Sequence, residues 1–185
     1  LMKYSQPVII SLEWGFYMSS IIKKITCPQC NHLGEAKIFT SINVTNNKNL
    51  REKTMDESLF RWICPQCGYK ARITSPILYN DMKNRFMVYL IPEADRFQLE
   101  DVELEQKYER LKGIRKRLAP DFNVFKEKVF IFESGLDDMA GEITKLVISE
   151  IVAKKYGLSR VEEGYLSMYN SESNTMGFTF FVGEE

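Results

Sequence analysis

The tetrapeptide Cys-Pro-Gln-Cys occurs twice, at residues 27–30 and 64–67, and the two copies hold all four cysteines of the 185-residue chain. A Cys-x-x-Cys turn presents two thiolates from one short loop, and two such turns complete the tetrahedral shell that zinc takes at about 2.3 Å from sulfur. Cys27, Cys30, Cys64 and Cys67 are therefore the candidate metal ligands. Proline inside each turn fixes φ near about −65°, which reduces the freedom lost when metal binds. The residue after each second cysteine has to turn left-handed for backbone N–H groups to face sulfur. Gly68 does so without strain, and Asn31 is of a type that tolerates it. Between Cys30 and Cys64 lie 33 residues, a longer interval than in compact zinc ribbons.

Other uses of four cysteines fit less well. Separate disulfides need an oxidising compartment, for which nothing else in the chain speaks. A thioredoxin-like pair expects one CxxC opening a helix, whereas both copies here are flanked by strand patterns. Zinc (Zn2+), or another thiophilic metal in the same cage, is the expected cofactor, and four sulfurs leave no open position for a reacting water. The metal is thus expected to be structural. His32, the only histidine, reads as a solvated turn residue. A single histidine excludes HExxH and facial-triad chemistry, and no P-loop, GxGxxG or GxSxG is present. Asp137 and Asp138 read as carboxylates favoured at a helix opening, so no enzyme is expected.

Composition permits a core: 44% of residues are hydrophobic, and Lys+Arg equals Asp+Glu at 25 each, which argues against a disordered polyelectrolyte. The balance hides a division. Residues 18–92 carry 11 Lys/Arg against 5 Asp/Glu, a net of +6, whereas residues 93–185 carry 13 against 19, a net of −6. Such halves can face each other within one molecule or across a dimer. The leading expectation is a zinc module that binds protein, with a protein partner or a homo-oligomer as its company. The alternatives are nucleic-acid binding through Lys70, Arg72, Lys83 and Arg85, near Tyr69, Tyr79 and Phe86, and redox sensing by oxidant-driven zinc release. No apolar run approaches the roughly 20 residues that span a bilayer, so no membrane is expected. The short apolar run at residues 8–12 is interrupted by Glu13, and a cytoplasmic location is expected.

The expected fold class is α+β: a zinc-ribbon-like antiparallel sheet with a long insertion between the two cysteine turns, two amphipathic helices and a C-terminal strand. Residues 1–17 read as an N-terminal extension or a mis-called start, 18–92 as the zinc-ribbon-like β region, and 93–185 as a helical and β region packed on it, the last two being either separate units or one continuous domain. Alternation of Ala36, Ile38, Ile42 and Val44 predicts a strand, and residues 46–57 predict a polar loop with at most a helical turn. Further strands are expected over residues 58–63 and 69–74, and at Phe86 to Ile91, whose unbroken apolar run suits burial on both faces. Residues 98–118 predict a helix. Residues 123–132 fit strand or helix, and residues 134–157 predict the clearest helix, capped by Ser134 or Gly135 and closed by Gly157. Its expected buried stripe is Leu136, Met139 or Ala140, Ile143, Leu146, Val147 and Ile151. Residues 174–184 predict a closing strand.

With both CPQC motifs, "SPILYND", "MVYLIP" and "EKVFIFESGLDDMAGEITKLV" in this order, the chain resembles the prokaryotic CpXC family from about Ile25 to about Ile151. The resemblance implies that Cys27, Cys30, Cys64 and Cys67 hold metal, and it implies no reaction. Asn31 stands where the family's first motif often has glycine, and the first 17 residues have no counterpart.

Overall fold

The computed structural model describes residues 19–45, 47–92 and 111–182. The protein is α+β. Five strands form a mixed sheet: β1 (Ser19–Thr26), β2 (Leu33–Asn43), β5 (Ile77–Asp81), β6 (Phe86–Leu90) and β7 (Arg115–Ala119), in that spatial order. β1–β2 and β5–β6 pair antiparallel, whereas β2–β5 and β6–β7 pair parallel. Two small hairpins stand apart from the sheet, β3 (Arg61–Ile63) with β4 (Lys70–Arg72) and β8 (Glu163–Asn170) with β9 (Thr175–Phe181). Three α-helices complete the described residues: α1 (Lys48–Met55), α2 (Phe122–Glu133) and α3 (Asp138–Tyr156).

The core forms where α2 lies against β5 and β6. Phe125 and Phe132 of α2 meet Tyr79 and Phe86 with ring centroids 5.9 and 5.2 Å apart, and all four side chains are buried. Asp121 caps this helix by accepting from the Asn123 and Val124 amides, which decides the ambiguous 123–132 stretch in favour of helix. Phe86, Met87, Val88 and Leu90 are all buried, as the unbroken apolar run requires. The sheet takes β7 from the acidic half and its other strands from the basic half, so the boundary at residue 92 runs through one sheet.

Several expectations are corrected. Of the helix expected over residues 98–118, the part 98–110 lies outside the described residues, and residues 115–118 belong to β7. Gly113 at φ 69° interrupts helical backbone there, and the next residues pair with Phe86–Leu90. The polar stretch after Val44 forms α1, capped by the Asn47 side chain on the Leu50 amide, and is longer than a single turn. Ser58–Phe60 is a 3-10 turn, leaving only Arg61–Ile63 as strand. β9 closes no larger sheet; among the described residues it pairs with β8 alone.

Helix α3 departs furthest from expectation. Its N-cap is Asp137, one turn later than Ser134, and Gly157 at φ 70° ends it as expected. The apolar stripe faces outward: Met139, Ile143, Leu146, Val147 and Ile151 are 52–62% exposed. The opposite face docks on the domain, with Ala153 buried, Ile148 and Val152 half-buried, and ion pairs at Asp138, Glu142 and Lys145. Arg117 chelates Asp138 at 2.5 and 3.0 Å, Lys128 meets Glu142 at 2.6 Å, and Lys145 meets Glu127 at 2.8 Å. Glu127 is buried and also accepts the Leu166 amide of β8 at 2.7 Å, tying α2, α3 and β8 together. A period of 3.6 separates two faces of a helix; it does not say which of them turns inward.

Candidate metal centre

Each CPQC sits at the tip of a hairpin, the first between β1 and β2 and the second between β3 and β4. The two loops repeat the same backbone bonds. Cys27 N–H donates to the His32 carbonyl and Asn31 N–H to the Cys27 carbonyl; Cys64 N–H donates to Tyr69 and Gly68 N–H to Cys64. Asn31 (φ 57°) and Gly68 (φ 74°) are both left-handed. The equality shows that asparagine serves in the first copy as glycine does in the second.

The loops face each other, so that all four Sγ atoms lie within 4.8 Å of one another. Cys27 and Cys67 approach to 3.6 Å, as do Cys30 and Cys64. A tetrahedron with ligands at about 2.3 Å has edges of about 3.8 Å, so the quartet is spaced to enclose one ion. Cys27 and Cys64 are buried, while Cys67 is exposed.

The titration of Cys30, Cys64 and Cys67 points the same way. Burial pushes the Cys64 thiol up, but amide N–H groups of Cys67 and Gln66 outweigh it and bring the group to about 6. The His32 N–H pulls Cys30 down, yet burial and the three neighbouring sulfurs carry it up to about 12. Cys67 is raised too: the Tyr69 N–H lowers it, and burial with the Cys27 and Cys64 sulfurs outweighs that. Cys64 ionises readily, and Cys30 and Cys67 then hold their protons, because adjacent thiolates repel. A cation among them favours all four thiolates at once. The donor set therefore fits a thiophilic metal. His32 is not part of the cluster.

Trp62 supports the centre and was not legible as a functional residue. It is buried on β3 with Cys27, Ala36 and Cys64 around it, and its indole N–H donates to the Glu35 carbonyl at 3.0 Å, bridging the two hairpins. Gly34 makes the approach possible, since a Cβ there would stand 2.8 Å from the indole ring. The available signal was a tryptophan two residues before Cys64, opposite a glycine four residues after Cys30. Replacing Trp62 by Phe is expected to cost about 1–2 kcal/mol through the lost hydrogen bond and packing. Urea unfolding of the variant measures this, and one metal per chain should remain bound.

The four basic residues considered for nucleic acid lie on two separate hairpins. Lys70 and Arg72 are on β4, and Lys83 and Arg85 are in the β5–β6 turn. Arg72 is engaged by Glu57 at 2.8 Å and lies over the Phe122 ring, and Arg85 donates to the Lys112 carbonyl at 2.9 Å. Lys83 borders a cleft with Lys48 and Arg51, but Asp81 and Glu133 line the same cleft.

Fold and centre define an α+β domain with a four-cysteine metal-binding cluster. Residues 25–145 match the family described as CpXC protein, and the chain belongs to that family. No curated protein and no solved structure matches the chain. Among the described residues no helix is long and apolar enough to cross a membrane.

Proposed function

We propose that the protein is a non-enzymatic, zinc-ribbon-like module in which Zn2+ is structural, and that it works in the cytoplasm as a protein-interaction domain. The observation that carries this reading is the convergence of four sulfurs within 4.8 Å. Zinc with four thiolates has a complete shell, so its contribution would be to clamp the β1–β2 and β3–β4 hairpins together. The cage has no second task to explain. The outward apolar face of α3 supplies what an interaction domain needs and a self-contained one does not.

Metal analysis of the purified chain should give one zinc per chain. Titration with single- and double-stranded oligonucleotides at low salt should give no saturable binding. Salt-dependent binding lost on substitution of Lys70 and Arg72 would instead favour the nucleic-acid reading. Redox sensing has one observation in its favour, the exposure of Cys67. Zinc retained through mild peroxide treatment counts against it.

A further inference from the structure

We propose that the outward face of α3 pairs with the same face of a second copy of this chain, the two helices running antiparallel. This deepens the interaction-module reading, on which it rests, by naming the surface and the partner.

Three observations lead there. The first is area. Met139, Ile143, Leu146, Val147 and Ile151, at 52–62% exposure, leave on the order of 500 Å² of contiguous apolar surface, at the upper end for a soluble monomer. Two such faces remove on the order of 1,000 Å² before any rim contact is added, which reaches the threshold of a specific interface.

The second is the symmetry of the stripe. Met139 and Ile151 stand equally far from position 145, and so do Ile143 and Val147. A two-fold axis at that level sets Ile143 of one copy against Val147 of the other, and Met139 against Ile151, and brings Leu146 opposite Thr144, whose hydroxyl is turned back onto the Ala140 carbonyl. Glu150 lies on the same exposed face. The same axis sets it opposite Ala140, whose small side chain leaves room for the carboxylate to reach solvent. A carboxylate in mid-face argues against lipid as the occupant.

The third is charge. Asp137 caps the helix at one end, and Lys154 and Lys155 stand in its last turn. Antiparallel pairing sets the basic end of each copy beside the acidic end of the other and opposes the helix dipoles favourably; parallel pairing does the reverse.

Sedimentation of the full-length zinc-loaded chain should show a dimer at about 100 μM. Ile143→Glu should weaken it at least about a hundredfold, since the carboxylate would be buried against Val147. Ile143 faces solvent in the single chain, so circular dichroism and zinc content should not change, and loss of zinc in the wild type would count against the metal reading rather than this one. Val147→Lys alone should also give monomer, and mixing the two variants should restore a dimer through the new Glu–Lys pair. A monomeric wild type overturns the proposal, as does a dimer indifferent to Ile143→Glu or a mixture that stays monomeric. Binding to anionic phospholipid vesicles by a monomer, lost in Ile143→Glu, would assign the face to a membrane surface instead.

Discussion

Stripping the metal from the purified chain is expected to unfold the β3–β4 hairpin and release Trp62 from its cluster while the α2-centred core persists. The reason is scale. β3 and β4 are three residues each, a hairpin too short to stand alone in water. Its apolar support is a small cluster, Cys27, Ala36, Trp62 and Cys64, two of whose members belong to the cysteine quartet. Structural zinc contributes on the order of 10–16 kcal/mol of apparent binding energy in small zinc domains, as much as the whole net stability of a typical domain. The larger core, with Tyr79, Phe86, Phe125 and Phe132 buried together, contains no ligand. In a Trp14→Phe background the emission of Trp62 alone should shift to the red on chelation, and amide protection should vanish over residues 61–72. Cys64→Ser should do the same without chelator. An apo chain with native Trp62 emission would show that packing alone holds the hairpins.

The second large effect is expected at Glu127. Its carboxylate is buried, holds Lys145 at 2.8 Å and accepts the Leu166 amide at 2.7 Å. Glu127→Ala leaves a mostly buried ammonium with one carboxylate fewer and a buried amide without an acceptor, and should cost about 3–5 kcal/mol. Glu127→Gln should recover part of this, because its amide oxygen still accepts from Leu166. A loss under about 1 kcal/mol in urea unfolding would place the pair with ordinary surface bridges.

The same ion cluster fixes a pH window. Burial pushes Glu142 up, but hydrogen bonds from Lys128 and Lys145 outweigh it and leave the carboxyl below its usual range. Burial lowers Lys145, and Glu127 with Glu142 outweighs that and raises it. A depressed carboxylate stabilises the fold above its unfolded value of about 4.3 and loses the contribution as pH falls through the lower folded value. A raised lysine stabilises below about 10.4 and loses the contribution as pH rises through the higher folded value. Attachment of α3 should therefore be flat between about pH 5 and 10 and weaken outside it. Hydrogen exchange on α3 measures this.

The cage was legible because its information is local: four residues, two turns, and a left-handed position after each. The strand at Phe86 to Leu90 was legible for a similar reason, since burial on both faces writes an unbroken apolar run. What failed was decided by partners distant in sequence. Residues 115–119 form a strand because Phe86–Leu90 lies beside them, and nothing within "RKRLA" says so. The stripe was read correctly as a stripe, but past Leu136, which packs on the core, it is exposed, because the inward face of α3 docks through Ala153 and through ion pairs to Arg117, Lys128 and Glu127 on other elements. Trp62 escaped notice because its role depends on Gly34 coming opposite it.

X-ray absorption at the zinc edge of the protein as purified addresses the metal centre most directly. Four sulfur scatterers at about 2.3 Å, with no nitrogen or oxygen in the shell, are the expected result. A shell with fewer sulfurs, or a bound metal whose spectrum is unchanged in Cys27→Ser, would contradict it.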